Sequence, residues 1–225
     1  QPNIKMLASV TSVDEALIVL DAGVDMIDLK NPSTGALGAL DPALVKDIVD
    51  AVNHRTTVSA TIGDLPMQPS LIVDATKIMV ETGVDILKIG FFGQLNHAIC
   101  LDALKFQASQ TKLIAVLLAD EQPDFSWLKN IAEAGFYGVM LDTANKSKGH
   151  LLSHLPLSRL MEFVSSASLL GLEAGLAGSV NVGHIKDLCD LKPSYLGFRG
   201  ALCEKNQRAL GLDATKVRSI KKMLH

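Results

Sequence analysis

Three stretches of this chain repeat one pattern. AGVDMIDLK at 22–30, TGVDILKIG at 82–90 and AGFYGVMLD at 134–142 each run from a helix-ending glycine straight into a short apolar strand. Around them, an apolar strand, a polar or glycine-rich loop and an amphipathic helix recur along the whole length. The pattern predicts strands at 4–9, 25–30, 56–61, 85–90, 112–118, 137–142, 172–177 and 195–199. Helix starts are marked by Ser12 with Glu15 as a capping box, by Asp41 before Pro42, and by Asp124 ahead of FSWLKNIAEAG. Gly23, Gly83, Gly135 and Gly171 mark helix ends. Strands separated by helices pair in parallel, and eight such units in 225 residues predict a single (β/α)8 TIM barrel over 1–225. A doubly wound open sheet is the alternative, but no G-x-G-x-x-G motif opens the first unit to support dinucleotide binding.

Counting from the repeated glycines locates the charges. Asp28 and Lys88 fall five places on, and Lys30 and Asp142 seven. Both offsets are odd, and strand side chains alternate faces with period two. The six-place residues, Leu29, Ile89 and Leu141, are apolar, as a surface packed beneath helices requires. The four charges are therefore expected to point into the barrel near the carboxyl ends of strands 2, 4 and 6, the face on which such barrels build active sites. Structural ion pairs are the competing explanation, but burying charge costs several kcal/mol per ion, a poor route to stability. Under an open mouth such a cluster is more often functional.

A partly desolvated lysine beside a second ammonium has its pKa pushed down. Its neutral amine can attack a carbonyl to form an imine while a carboxylate moves the protons. Lys30 or Lys88 as nucleophile, with Asp28 or Asp142 as acid/base, makes a class I aldolase-like site. Anion binding has separate support in LAGSV (176–180) after strand 7 and FRGA (198–201) after strand 8, the two loops between which barrels often hold phosphate. Gly178, Ser179, Arg199 and Gly200 supply the pieces there, and Lys146 in the NKSKG loop can reach a second anionic group, with Lys148 more simply solvated. NPSTGALGA (31–39) and SATIGDLP (59–66), in which Ser59 and Thr61 share a face, are rich in small residues beside the site and suit close backbone approach to a substrate.

The totals narrow the partners. A formal charge of -3 argues against general nucleic-acid binding, so any pull on anions is local. Apolar residues at 48% against 20% charged allow a sizeable core. No apolar run approaches the roughly 18 residues of a membrane span. QPNIKMLASV lacks a signal-peptide pattern, and the start at Gln1 suggests that authentic first residues precede it; a soluble cytoplasmic protein is expected. Cys100, Cys189 and Cys203 are too few and scattered for a disulfide framework, and Cys100 and Cys189 read as helix packing. His150 and His154 stand at i, i+4 with no third ligand nearby, so a capping or surface role is expected and no metal. Oligomeric state, including a homo-oligomer, is left open.

DLKNPSTGALGA, SATIGDLP, LKIGFFG, MLDTANK, LAGSV and FRGALC, in that order along nearly the whole chain, resemble the (5-formylfuran-3-yl)methyl phosphate synthase family of methanofuran biosynthesis. The resemblance implies a carbon–oxygen lyase that joins two glyceraldehyde 3-phosphate molecules into a furan aldehyde phosphate, with loss of phosphate and water and with no metal or organic cofactor. It implies Lys30 as the Schiff-base lysine, Asp28 as its proton-transfer partner, and functional roles for Lys88, Asp142 and Lys146. An enamine on one triose is expected to attack the aldehyde of the other, with the β-phosphate as leaving group and aromatisation driving the dehydrations. The chain departs from archaeal members in LLADEQPDFSW after strand 5, which is shorter, and in the tail after Cys203, which keeps Arg208 but lacks a glycine-rich stretch. Two other functions compete: a different aldolase-like phosphosugar enzyme, and a non-catalytic phosphosugar-binding barrel.

Overall fold

A computed structural model describes residues 3–225; Gln1 and Pro2, with which the reading of the N-terminus begins, lie outside the described residues. Eight strands, β1 (Lys5–Val10), β2 (Met26–Leu29), β3 (Thr57–Thr61), β4 (Ile86–Phe91), β5 (Lys112–Leu118), β6 (Gly138–Asp142), β7 (Glu173–Leu176) and β8 (Tyr195–Phe198), pair in parallel. The sheet closes on itself where Lys5–Ala8 of β1 register against Tyr195–Phe198 of β8. This is the expected (β/α)8 barrel. The open doubly wound sheet is excluded by that closure.

Helices α1 (Val13–Asp21), α2 (Pro42–Val52), α3 (Pro69–Val80), α4 (His97–Ala103), α5 (Lys105–Gln110), α6 (Trp127–Glu133), α7 (Leu151–His154), α8 (Leu157–Leu169) and α9 (Ile185–Asp190) form the crossovers, and α10 (Ala214–Met223) follows β8. Two crossovers hold two helices each. The break between α7 and α8 is dictated by Pro156, which forces Leu155 out of the helical region to φ -129 and ψ 128. Asp124 does not cap α6: its carboxylate takes the Ser126 N–H in a turn, and the helix begins at Trp127. Asp41 caps α2 through the Ala43 N–H, as expected. Gly23, Gly83 and Gly135 all take positive φ, the left-handed turn that stops each helix and aims the chain into the next strand.

Strand alternation divides the core in two. Leu7, Met26, Ile86, Ile114, Val116, Met140 and Tyr195 fill the barrel. Leu29, Ile89 and Leu141 face outward and pack with helix residues such as Val19, Ile48 and Phe163, as the six-place count required. No helix among the described residues is long and apolar enough to cross a membrane. Cys100 and Cys189 lie in α4 and α9, and all three cysteines are free thiols.

The two motif loops at the mouth lock onto each other. Asp64, in the turn after β3, accepts the N–H groups of Ala36 and Leu37 at 3.0 and 2.9 Å. Gly35 sits at φ +122, where a Cβ would lie 2.1 Å from the Asp64 carboxylate. Its small size serves a carboxylate's approach to backbone. Gly35→Ala therefore displaces Asp64 and adds backbone strain, and urea unfolding should show a loss of about 1–3 kcal/mol.

Candidate active site

Asp28, Lys30, Lys88 and Asp142 meet at the carboxyl end of the barrel, all buried, with 0, 8, 2 and 2% of their surface exposed. They come from β2, β4 and β6 or the residue that follows. Alternate strands of a barrel carry inward side chains at matching heights, which is why these residues reach one another.

Asp28 is the most enclosed. Its carboxylate accepts the Lys88 ammonium at 2.9 Å, the Ser59 hydroxyl at 2.7 Å and the Ser9 hydroxyl at 3.2 Å. Strand register supplies these partners, since Ser9 lies opposite Asp28 on β1 and Ser59 opposite it on β3. Ser9 carried no signal in the sequence, because a lone serine in an apolar strand resembles any small core residue. Thr61, on the Ser59 face, turns its hydroxyl to the Gly38 carbonyl at 3.0 Å.

Lys30 is held differently. Its Nζ lies 3.8 Å from Asp142 Oδ2, and among the described residues no hydrogen bond to that nitrogen is formed. Burial disfavours its ammonium; attraction from Asp142 and Asp28 partly offsets this, and repulsion from Lys146 and Lys88 adds to it. The result is a pKa lowered to about 8. An amine of pKa about 8 is neutral in roughly a quarter of molecules at pH 7.5, against about one in a thousand for an ordinary lysine. Burial acts to raise the Asp142 carboxyl, but Lys146, Lys30 and Lys88 outweigh it and hold the carboxyl well below the usual carboxylate range. Lys146 is bonded to Asp142 Oδ1 and to the Thr143 hydroxyl, the latter at 2.9 Å. Lys148 is exposed.

The cluster opens into a cleft lined by Lys30, Lys88, Asp142 and Lys146 on one side and Gly178, Ser179, Arg199 and Gly200 on the other. All the sequence-selected residues except Asp28 reach this cleft. Gly178 has φ +116 and Ser179 φ +51. Neither backbone N–H has a protein acceptor among the described residues, leaving both for an anion. The Arg199 guanidinium is engaged elsewhere: it pairs with Glu15 at 2.8 Å and spends its remaining donors on carbonyls. Arg208 also lines the cleft and donates to the Ser179 hydroxyl at 2.7 Å. Its position could not be read from the sequence, because it arrives on a loop after the last strand.

His150 stands at the N-cap position of α7, where its backbone N–H donates to the Ser153 hydroxyl at 3.2 Å, and no group of three or more His, Cys, Asp or Glu among the described residues is placed to hold a metal ion.

Residues 6–221 match the family model described as 4-HFC-P synthase. A provisionally named (5-formylfuran-3-yl)methyl phosphate synthase of Methylorubrum extorquens is 40% identical over 213 residues, covering 95% of this chain and 88% of that protein. The (5-formylfuran-3-yl)methyl phosphate synthase of Methanothermobacter thermautotrophicus is 31% identical over 231 residues, covering 97% and 98%. Among solved structures, phosphoribosyl anthranilate isomerase from Thermus thermophilus superposes with a TM-score of 0.71 at 15% identity, covering 98% of each chain, a likeness of fold.

Two outcomes follow from the charges. Lys88→Met leaves Asp28 buried without its counterion and should destabilise by about 3–5 kcal/mol in denaturant unfolding, while Asp28→Asn with Lys88→Met together should recover much of the loss. Lys30, with a folded pKa near 8 and an ordinary unfolded one, binds fewer protons folded than unfolded between those values. Its ammonium opposes folding below pH 8, and that penalty is relieved as pH rises toward 10.5. The stability difference between wild type and Lys30→Met should therefore shift in favour of wild type across that window; a flat difference would refute the lowered pKa.

Proposed function

The chain belongs to the 4-HFC-P synthase family, and on that premise we propose that it condenses two glyceraldehyde 3-phosphate molecules into (5-formylfuran-3-yl)methyl phosphate through an imine on Lys30, in the biosynthesis of a methanofuran-type cofactor. The observation that carries this reading is the Lys30 amine: buried, unbonded, lowered to about 8, and open to a cation-rich cleft. Lys88 is the weaker nucleophile, since its ammonium is already bonded to Asp28.

The Lys30 amine attacks C1 of the first triose, and loss of water leaves a cationic imine that acidifies the C2 hydrogen. Asp142, an ionised carboxylate 3.8 Å from the lysine nitrogen, takes that proton, and Lys146 on its other oxygen supplies protons to departing oxygens. The enamine so formed expels the phosphate on C3. A carboxylate then takes the C2 proton of the second triose, and C2 of the resulting enediolate bonds to that C3 carbon. The C2 oxygen of the first triose closes onto the second aldehyde, two waters leave, and imine hydrolysis frees the formyl group. Two trioses thus give one furan phosphate, one inorganic phosphate and two waters. This order differs from direct attack on the aldehyde. Attack there would make C3 the formyl carbon, yet the C3 oxygen departs with the phosphate. Gly178, Ser179, Gly200 and Lys146 hold the phosphates.

Glyceraldehyde 3-phosphate followed by borohydride, with peptide mass spectrometry, tests the reading. A reduced adduct on Lys30 is expected, absent from Lys30→Ala, with trapping that rises with pH about a midpoint near 8. An adduct on Lys88 instead would reverse the two lysines. Furan phosphate formed with no lysine trapped would sink the imine, and neither adduct nor product would favour a binding barrel.

A further inference from the structure

The guanidinium of Arg199 has five N–H donors, and all five are occupied by the protein. Nε donates to the Arg208 carbonyl at 3.0 Å. Nη1 donates to the Ser9 carbonyl at 3.1 Å and Glu15 Oε1 at 2.8 Å. Nη2 donates to Glu15 Oε2 at 3.3 Å and the Leu210 carbonyl at 3.1 Å. This one side chain ties the end of β1, the first turn of α1, the end of β8 and the 203–212 loop together. Glu15 supplies its counterion. Burial acts to raise the Glu15 carboxyl, but the donors from Arg199 and Thr11 outweigh it and hold the group below its ordinary range.

The Arg208 guanidinium is the opposite case. It bonds the Ser179 hydroxyl at 2.7 Å and, among the described residues, has no carboxylate within ion-pair distance. It faces the cleft beside Lys30, Lys88 and Lys146, where the carboxylates are Asp28 and Asp142. Four cations against two carboxylates leave that region short of negative charge. A planar fork with free donors, next to two unpaired N–H groups at Gly178 and Ser179, matches the oxygens of a phosphate.

We propose that Arg208 is a ligand of a substrate phosphate and that the Glu15–Arg199 pair is the positioning device that holds Arg208 over the cleft. The proposal deepens the triose-phosphate reading above and rests on it for the identity of the substrate. An arginine side chain has many rotamers, so its aim depends on where its backbone is held. Arg199 grips the carbonyl of Arg208 itself, and of Leu210 two residues on, which fixes the backbone that leads away from the side chain.

The probe is inorganic phosphate, titrated calorimetrically into the full chain, so that no turnover is needed. Arg208→Gln should weaken phosphate binding by about tenfold or more, and Arg208→Lys, which keeps a point charge without the fork, by less. Glu15→Gln should weaken it severalfold in the wild-type background and add nothing in the Arg208→Gln background. A purely structural Glu15 would lower thermal stability in both backgrounds without that non-additivity. Phosphate affinity unchanged by Arg208→Gln, or absent from the wild type, overturns the ligand role. A Glu15→Gln effect that adds in full on Arg208→Gln overturns the positioning role. Borohydride trapping of unphosphorylated glyceraldehyde on Lys30 of the wild type reads the imine apart from phosphate binding. Failure of that trapping in the wild type counts against the imine and leaves the phosphate titration to decide the present proposal.

Discussion

The Asp28 carboxylate has no exposed surface, and everything around the mouth of the barrel is arranged to make its charge tolerable. Lys88 neutralises it, and two hydroxyls from the neighbouring strands satisfy its remaining lone pairs. That pair then acts on what lies above it. The Lys88 ammonium is close enough to push against Lys30, and Asp28 pulls weakly the other way. A buried ion pair of this kind contributes little net stability, because desolvation offsets most of the attraction. What it does is set the electrostatic environment of the amine one turn of the pleat higher.

The cluster thus sorts two lysines on adjacent faces into different states. Lys88 is held by a direct hydrogen bond to Asp28. Lys30 has a carboxylate near enough to attract it but too far to bond it, and it pays the desolvation of its site largely uncompensated. Asp142 stays ionised because three ammonium groups surround it, where a buried carboxyl alone would hold its proton. The proposed base, nucleophile and proton donor come from a single set of mutual interactions. None of the three would have its character in isolation.

Around that cluster the rim is tied by charged side chains used as staples. Asp64 clamps the loop after β2 to the loop after β3, and Arg199 clamps the first βα unit to the segment beyond the last strand. In both cases a charged group spends its hydrogen-bonding capacity on backbone, which converts a flexible loop into a fixed wall. Gly35 of the NPSTGALGA motif is explained by the first clamp, and Gly38 by its packing against Thr34 and the Asn31 carbonyl. Glu15 shows the same economy: its N–H takes the Ser12 cap, while its carboxylate holds Thr11 and Arg199.

The barrel was legible in the chain because its signals are local. Helix-ending glycines, strand periodicity and the odd offsets of Asp28, Lys30, Lys88 and Asp142 are all counted within nine residues, and pleating alone fixes which side faces inward. The order of the strands followed from eight similar units. What the sequence could not decide was the partner of each charge. Arg199 follows β8 where a phosphate ligand is expected and lines the cleft, yet its donors go to Glu15, 184 residues away, and to carbonyls, while Arg208 brings free donors to the same cleft. Nor could it divide the two lysines, since Lys30 and Lys88 have nearly equivalent local surroundings. Those outcomes depend on distances across the closed barrel and on how much water each group loses, and only the tertiary structure sets either quantity.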